Sequence, residues 1–145
     1  MSFSTGLRLS ASGLTAQRMR MNTIASNIAN VNTTRSPEGG PYRKKSVVFE
    51  SMPDARNFGE LVTMPPQSDL QRVQVVDVIS DRGAPILKYE PENPDANEDG
   101  YVAYPNINLM AEMADMIQAT RAYEANVSAL NASKDMAMSS LQIGR

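Results

Sequence analysis

The chain has 145 residues, of which 41% are hydrophobic and only 6% aromatic, and it contains no Trp, Cys or His at a formal net charge of −2. Without cysteine there is no disulfide, no thiolate zinc site and no cysteine nucleophile, and without histidine the commonest metal ligand and near-neutral general base is missing. No stretch approaches the roughly 20 apolar residues of a membrane span. A secretory apolar core is absent too, because Arg8, Ser10, Ser12 and Gln17 interrupt the first segment.

Charge is unevenly laid out. Residues 1–50 hold seven Lys or Arg against two acids, residues 51–105 four against ten, and residues 106–145 three against four. None of this is a dense basic stripe, so no nucleic acid is expected as a partner. The basic first third suits acidic protein surface instead. Residues 1–35 are also rich in Ser, Thr and Arg and free of acids, the composition of an organelle transit peptide, which leaves an imported and trimmed protein as one reading.

The first element is a helix. Leu7, Leu14, Met21 and Ile28 repeat every seven residues, with Ala11, Arg18 and Ala25 at the intermediate positions, which is the stripe of a helix packed lengthwise on another. Met19, Ile24 and Val31 widen the face, and Ser2 or Ser4 is positioned to cap its start. Ser36-Pro37-Glu38-Gly39-Gly40-Pro41 ends it.

Residues 42–105 change character. Short β-rich runs at Tyr42–Phe49, Arg72–Ile79, Ala84–Tyr89 and Tyr101–Tyr104 are separated by turn signals, and Pro65-Pro66 reads as a loop. After Pro105, with Asn106 or Asn108 as N-cap, a second helix of some 35 residues begins. Its expected seam is Leu109, Met113, Met116, Thr120, Tyr123, Val127, Leu130, Lys134, Ala137 and Leu141 in alternating steps of four and three. The fold class is therefore α+β: long N- and C-terminal helices (1–35 and 106–145) pairing as a coiled coil, with a small β-rich insert (36–105) between them.

Few residues suggest chemistry. Asp95-Ala96-Asn97-Glu98-Asp99-Gly100 matches the first half of a calcium loop, but the twelfth position is Asn106 and Pro91 and Pro94 spoil the entering helix, so a polar turn explains it better. Glu90/Glu92 and Glu98/Asp99 lack an apolar pocket to shift a pKa and read as solvated faces. Arg43-Lys44-Lys45 reads as strand start and rim charge. No catalytic residue, metal, cofactor or small-molecule substrate is expected, and the chain is not expected to be an enzyme.

Association is the stronger signal. Ten methionines, with Met110, Met113 and Met116 close together, suit core filling and also surfaces that pack against non-identical neighbours. The apolar burial available to the first helix does little more than offset its ordering cost, so it looks unfinished without neighbours. Asparagines at helix contacts lower stability but fix register and partner. Asn22, Asn27, Asn30 and Asn32, with Asn126 and Asn131, fit that role, although Asn30 and Asn32 equally suit a helix end. The acid-free first helix is complementary to Glu112, Asp115, Glu124 and Asp135 of second helices.

The motifs Ala11-Ser12-Gly13-Leu14, Arg20-Met21-Asn22 and Asn27-Ile28-Ala29-Asn30-Val31-Asn32-Thr33 resemble the N-terminal signature of bacterial flagellar rod and hook axial proteins. Arg121-Ala122-Tyr123-Glu124-Ala125-Asn126-Val127 and the ending Leu141-Gln142-Ile143-Gly144-Arg145 resemble the other terminal helix of that family. The short insert, with Ser36-Pro37-Glu38-Gly39-Gly40-Pro41-Tyr42-Arg43-Lys44-Lys45 and Asp99-Gly100-Tyr101-Val102, is similar to its proximal-rod members. The resemblance implies a subunit of the proximal rod of the basal body, in the periplasmic space, exported by the flagellar export apparatus without a cleaved signal peptide. Implied partners are other copies of the chain and other flagellar rod proteins. The implied assembly interface is Leu7, Leu14, Met21, Asn27, Ile28, Asn30 and Asn32 with Met113, Met116, Arg121, Tyr123, Glu124, Asn126, Val127 and Leu130. The residue pattern alone also fits a self-contained helical-hairpin adaptor.

Overall fold

The computed structural model describes residues 3–53 and 71–143. Helix α1 (Phe3–Ala29) is followed by strands β1 (Lys45–Pro53), β2 (Gln71–Ser80), β3 (Ile86–Tyr89) and β4 (Tyr101–Tyr104), and helix α2 (Leu109–Ile143) closes the chain. This is the α+β layout expected from the sequence. The Pro65-Pro66 loop and a cap at Ser2 lie outside the described residues; Ser4 sits inside α1.

Helix α1 ends because its own asparagine takes over its last turn. Asn30 Nδ2 donates to Ser26 O (2.8 Å), and its Oδ1 accepts from Thr33 Oγ1 (3.1 Å). The chain then reverses through Gly39 (φ +87°) and Gly40 (φ +76°), a region that glycine enters without Cβ strain. Tyr42 N donates to Thr33 O at 3.0 Å, so Tyr42 belongs to this loop and β1 starts only at Lys45, three residues later than expected.

Strands β1 and β2 form one antiparallel ladder with a register shift between Val48 and Phe49, and β3 and β4 form another. The third strand starts at Ile86 rather than Ala84, after Pro85, which has no N–H to give a ladder. Asn108 is the N-cap of α2: its Oδ1 accepts from Ala111 N at 3.2 Å, and Glu112 lies in the first turn, where the helix dipole favours an acid.

The two helices run antiparallel, with Asn27 against Glu112, Met21 against Thr120 and Gly13 against Asn126. Both contact seams are rotated by about one residue from the expected stripes. On α1 the buried residues are Ala16, Thr23, Ile24 and Asn27, while Leu7, Leu14, Met21 and Ile28 are half-buried on the shoulder of the contact and Ala11, Arg18 and Ala25 are exposed. On α2 the expected residues Met116, Tyr123, Val127, Leu130 and Ala137 are at least half-covered, but the other half of the seam falls on Glu112, Ala119, Asn126 and Ser133. Leu109, Met113, Thr120, Lys134 and Leu141, expected there, are exposed. The reason is distance of approach. Helix backbones that come close need small or specifically paired side chains at the contact, and a reading that follows apolar bulk picks the neighbouring row.

Candidate assembly interface

Where the insert meets the helix pair lies a closed polar junction. Asn27 is 1% exposed. Its Nδ2 donates to Lys45 O (2.9 Å) and to Glu112 Oε2 (3.0 Å); its Oδ1 accepts from Lys45 N (2.9 Å) and from Tyr42 Oη (3.1 Å). The amide thus grips the Lys45 peptide at both ends, as a neighbouring strand would, and all four of its hydrogen-bonding positions are filled. Only an amide side chain carries the donor and acceptor this requires. Glu112, 2% exposed, has its other oxygen 2.7 Å from Lys44 Nζ, and Tyr42 Oη also lies 3.2 Å from Ser26 Oγ. A buried carboxylate without such partners would cost several kcal/mol. One asparagine therefore fastens α1 to β1 and α2 together, and its side chain has nothing left for another subunit.

A second tie holds the loop after α1 to the acidic turn before β4. Asp95 accepts from Thr34 Oγ1 (2.7 Å) and pairs with Arg35 (3.3 Å). Asn97 Oδ1 takes the Asp99 and Tyr101 amides (3.1 and 2.8 Å), and Gly100 turns at φ +81°. The calcium-like hexapeptide is thus built as a hydrogen-bonded turn, with its first carboxylate committed to α1's exit loop. Among the described residues no group of three or more His, Cys, Asp or Glu could hold a metal ion.

On the adjoining sheet, Glu90 accepts from Tyr104 Oη (2.9 Å) and Asn93 Nδ2 (3.2 Å). The Tyr104 hydrogen bond, first, and then that of Asn93 hold the Glu90 carboxyl below its usual range; the same Glu90 contact pushes the Tyr104 hydroxyl up. Lys88 lies over the Tyr104 ring at 4.8 Å.

The sequence-derived interface residues fall into three sets. Asn27 is inside the junction, and Asn30 closes the helix end. Leu7, Leu14, Met21, Ile28, Met116, Tyr123, Asn126, Val127 and Leu130 lie half-covered along or beside the helix pair. Asn32, Met113, Arg121 and Glu124 are exposed, as are Asn22 and Asn131. Reading the sequence did not find Tyr42, Lys45 and Glu112 as partners of Asn27, nor Lys44 as the partner of Glu112, because the Asn27 contacts cross between 15 and 85 residues of chain. Gly13 was findable: a glycine inside a helix costs about 1 kcal/mol unless something comes close. Here a Cβ would meet Asn126 Nδ2 at 2.9 Å.

Outside these contacts much apolar surface is uncovered. Met110, Met113 and Ile117 form a row on α2, Met136, Met138 and Leu141 follow near its end, and Val76, Ile79 and Leu87 stand out from the strands. Such area on a small chain marks surfaces that meet other proteins. No helix among the described residues is long and apolar enough to cross a membrane.

Comparisons with known proteins agree with this picture. Residues 7–35 match the family described as flagella basal body rod protein, and residues 98–143 match the flagellar basal body rod FlgEFG protein C-terminal family. The flagellar basal-body rod protein FlgC of Borreliella burgdorferi is 42% identical, covering 96% of this chain and 95% of its own. FlgC of Bacillus subtilis is 41% identical over 96% of each chain, and that of Salmonella typhimurium 37% over 94% of each. With relatives this similar matched over nearly the whole length of both chains, the chain belongs to the FlgC family of flagellar basal-body rod proteins.

Proposed function

We propose that this protein is a structural subunit of the proximal rod of the flagellar basal body, built into the drive shaft that transmits torque for motility. The observation that carries the reading is the helix pair, tied internally at one end and open over most of its outer surface. Helix packing along 1–35 and 106–145 makes the wall of the shaft, and 36–105 faces neighbouring subunits on its outside. Partners are other copies of the chain and other rod proteins. Before assembly the chain passes the export apparatus without a cleaved signal and reaches the periplasm; a cysteine-free sequence suits threading and an oxidising compartment alike. The protein is not an enzyme on this reading: the polar groups gathered at Asn27 are bound to one another. The exposed apolar rows of α2 count against a self-contained hairpin adaptor.

The test is a strain lacking the gene, complemented by the intact chain. Loss of swimming and of rods, restored by complementation, with residues 1–35 retained in the exported protein by intact mass, is the expected result. Normal rods in the deletion strain would overturn the proposal.

A further inference from the structure

The four acids on α2 that oppose the acid-free α1 are not equivalent in the structure. Glu112 and Asp115 are used within the chain, by Lys44 and Arg20 (2.7 and 3.9 Å). Glu124 and Asp135 are exposed and, among the described residues, take part in no ion pair; the same is true of Arg8 and Arg18 on α1.

These free charges lie on two ordered rows. On the face of α1 turned away from α2, Arg8, Ala11, Arg18, Ala25 and Ala29 are all exposed, at the three-and-four spacing of a contact seam. Met113, Ile117, Glu124 and Asp135 are exposed along the outer face of α2. Laid antiparallel, Ala29 with Met113, Ala25 with Ile117 and Arg18 with Glu124 share one register, and the same register brings Arg8 within one residue of Asp135. Both large apolar side chains meet alanines and both acids meet arginines. The rows sit on outward faces of one molecule, so they can meet only between molecules.

We infer that the outer face of α1 receives the outer face of α2 from a second copy of this chain, in that register. The inference rests on the rod reading, and it adds which faces meet and how they are aligned. Within one chain Gly13 stands level with Asn126 and Asn27 with Glu112, whereas the intermolecular register is displaced by three residues. At 1.5 Å per residue, adjacent copies are then staggered along the shaft by about 4–5 Å. The size match sets register and the charge match rejects slipped or parallel alternatives.

The absence of native cysteine makes the test direct. Ala25→Cys and Ile117→Cys are made in separate, differently tagged copies of the full chain, expressed together in cells lacking the native gene, and oxidised in isolated basal bodies. A disulfide-linked dimer carrying both tags is expected, at least tenfold more abundant than from the off-register pair Ala11→Cys with Ile117→Cys. Arg18→Glu and Glu124→Arg should each reduce swimming, and the chain carrying both should recover it. Swimming cells with no linked dimer, or with equal yield from the off-register pair, would overturn the inference and leave the rod reading standing. Normal rods without the gene would remove the rod reading itself.

Discussion

The two ends of the helix pair differ sharply. At one end α1, α2 and β1 meet at Asn27, where every hydrogen-bonding position is filled and a buried carboxylate is matched by Lys44. At the other end α2 continues alone: at the observed register, roughly its last two turns run past Phe3, and Met138 and Leu141 are 51% and 75% exposed. One end is finished within the chain, while the other has contact surface and, among the described residues, no partner. A subunit that must stay apart until it reaches a growing structure needs such a division, because stability at the junction holds the two helices in register without completing their outer faces.

The largest expected effect comes from breaking the finished end. Asn27→Asp keeps size and shape but removes both donors and sets a second carboxylate beside Glu112 Oε2, which Asn27 Nδ2 now holds at 3.0 Å. A loss of about 3–5 kcal/mol at pH 7 is expected in urea titration, the range for uncompensated buried charge. Two carboxylates so close raise the pKa of one of them in the folded state, so the variant should gain stability as pH falls. Asn27→Leu should be about as damaging but without the acid rescue. An equally stable Asn27→Asp protein would remove the junction as the anchor of the fold.

A middle-sized effect sits halfway along the pair. Gly13→Ala should be near neutral, because the helix propensity gained, about 1 kcal/mol, is offset by displacing Asn126 Nδ2 from 2.9 Å. In an Asn126→Ala background the same change should stabilise by about 0.5–1 kcal/mol. A thermal double-mutant cycle measures the difference, and additivity would show that the two residues do not touch.

The smallest effect lies in the β3–β4 sheet. The Glu90 carboxyl is held low, so its contribution is present above its unfolded pKa and fades as pH falls through the folded value. The Tyr104 hydroxyl is held high, so its share is present at neutral pH and is lost as pH rises through its own raised value. Tyr104→Phe should therefore flatten both the acid and the alkaline limb of the stability profile while barely changing the helices. Unchanged limbs would place the pH dependence elsewhere.

How much of this was legible follows from the range of each interaction. Helix α2, its cap, which the sequence narrowed to Asn106 or Asn108, and the break at Ser36–Pro41 are local, and local signals located them. The apolar stripe Leu7, Leu14, Met21, Ile28 was visible as a heptad, but it lies on the shoulder of the pair. Apart from Ile24, the contact itself runs through Gly13, Ala16, Thr23 and Asn27, whose small or polar side chains carry little hydrophobic signal. Asn27 stood out as an anomalous polar residue, whereas its partner Glu112, 85 residues away, looked like an ordinary first-turn acid. Nothing in either segment's periodicity couples them; only the closed fold does.

Segment-resolved hydrogen exchange on dilute protein of verified monomeric mass is the most direct measurement. The account predicts slowest exchange at residues 23–29, 44–48 and 111–119, around the junction, with protection falling along α1 toward Phe3 and along α2 beyond Ala129. On assembly, protection should spread to both helix ends. Uniformly slow exchange through residues 130–143 in the monomer would contradict the account, since the distal end would then be complete without a neighbour.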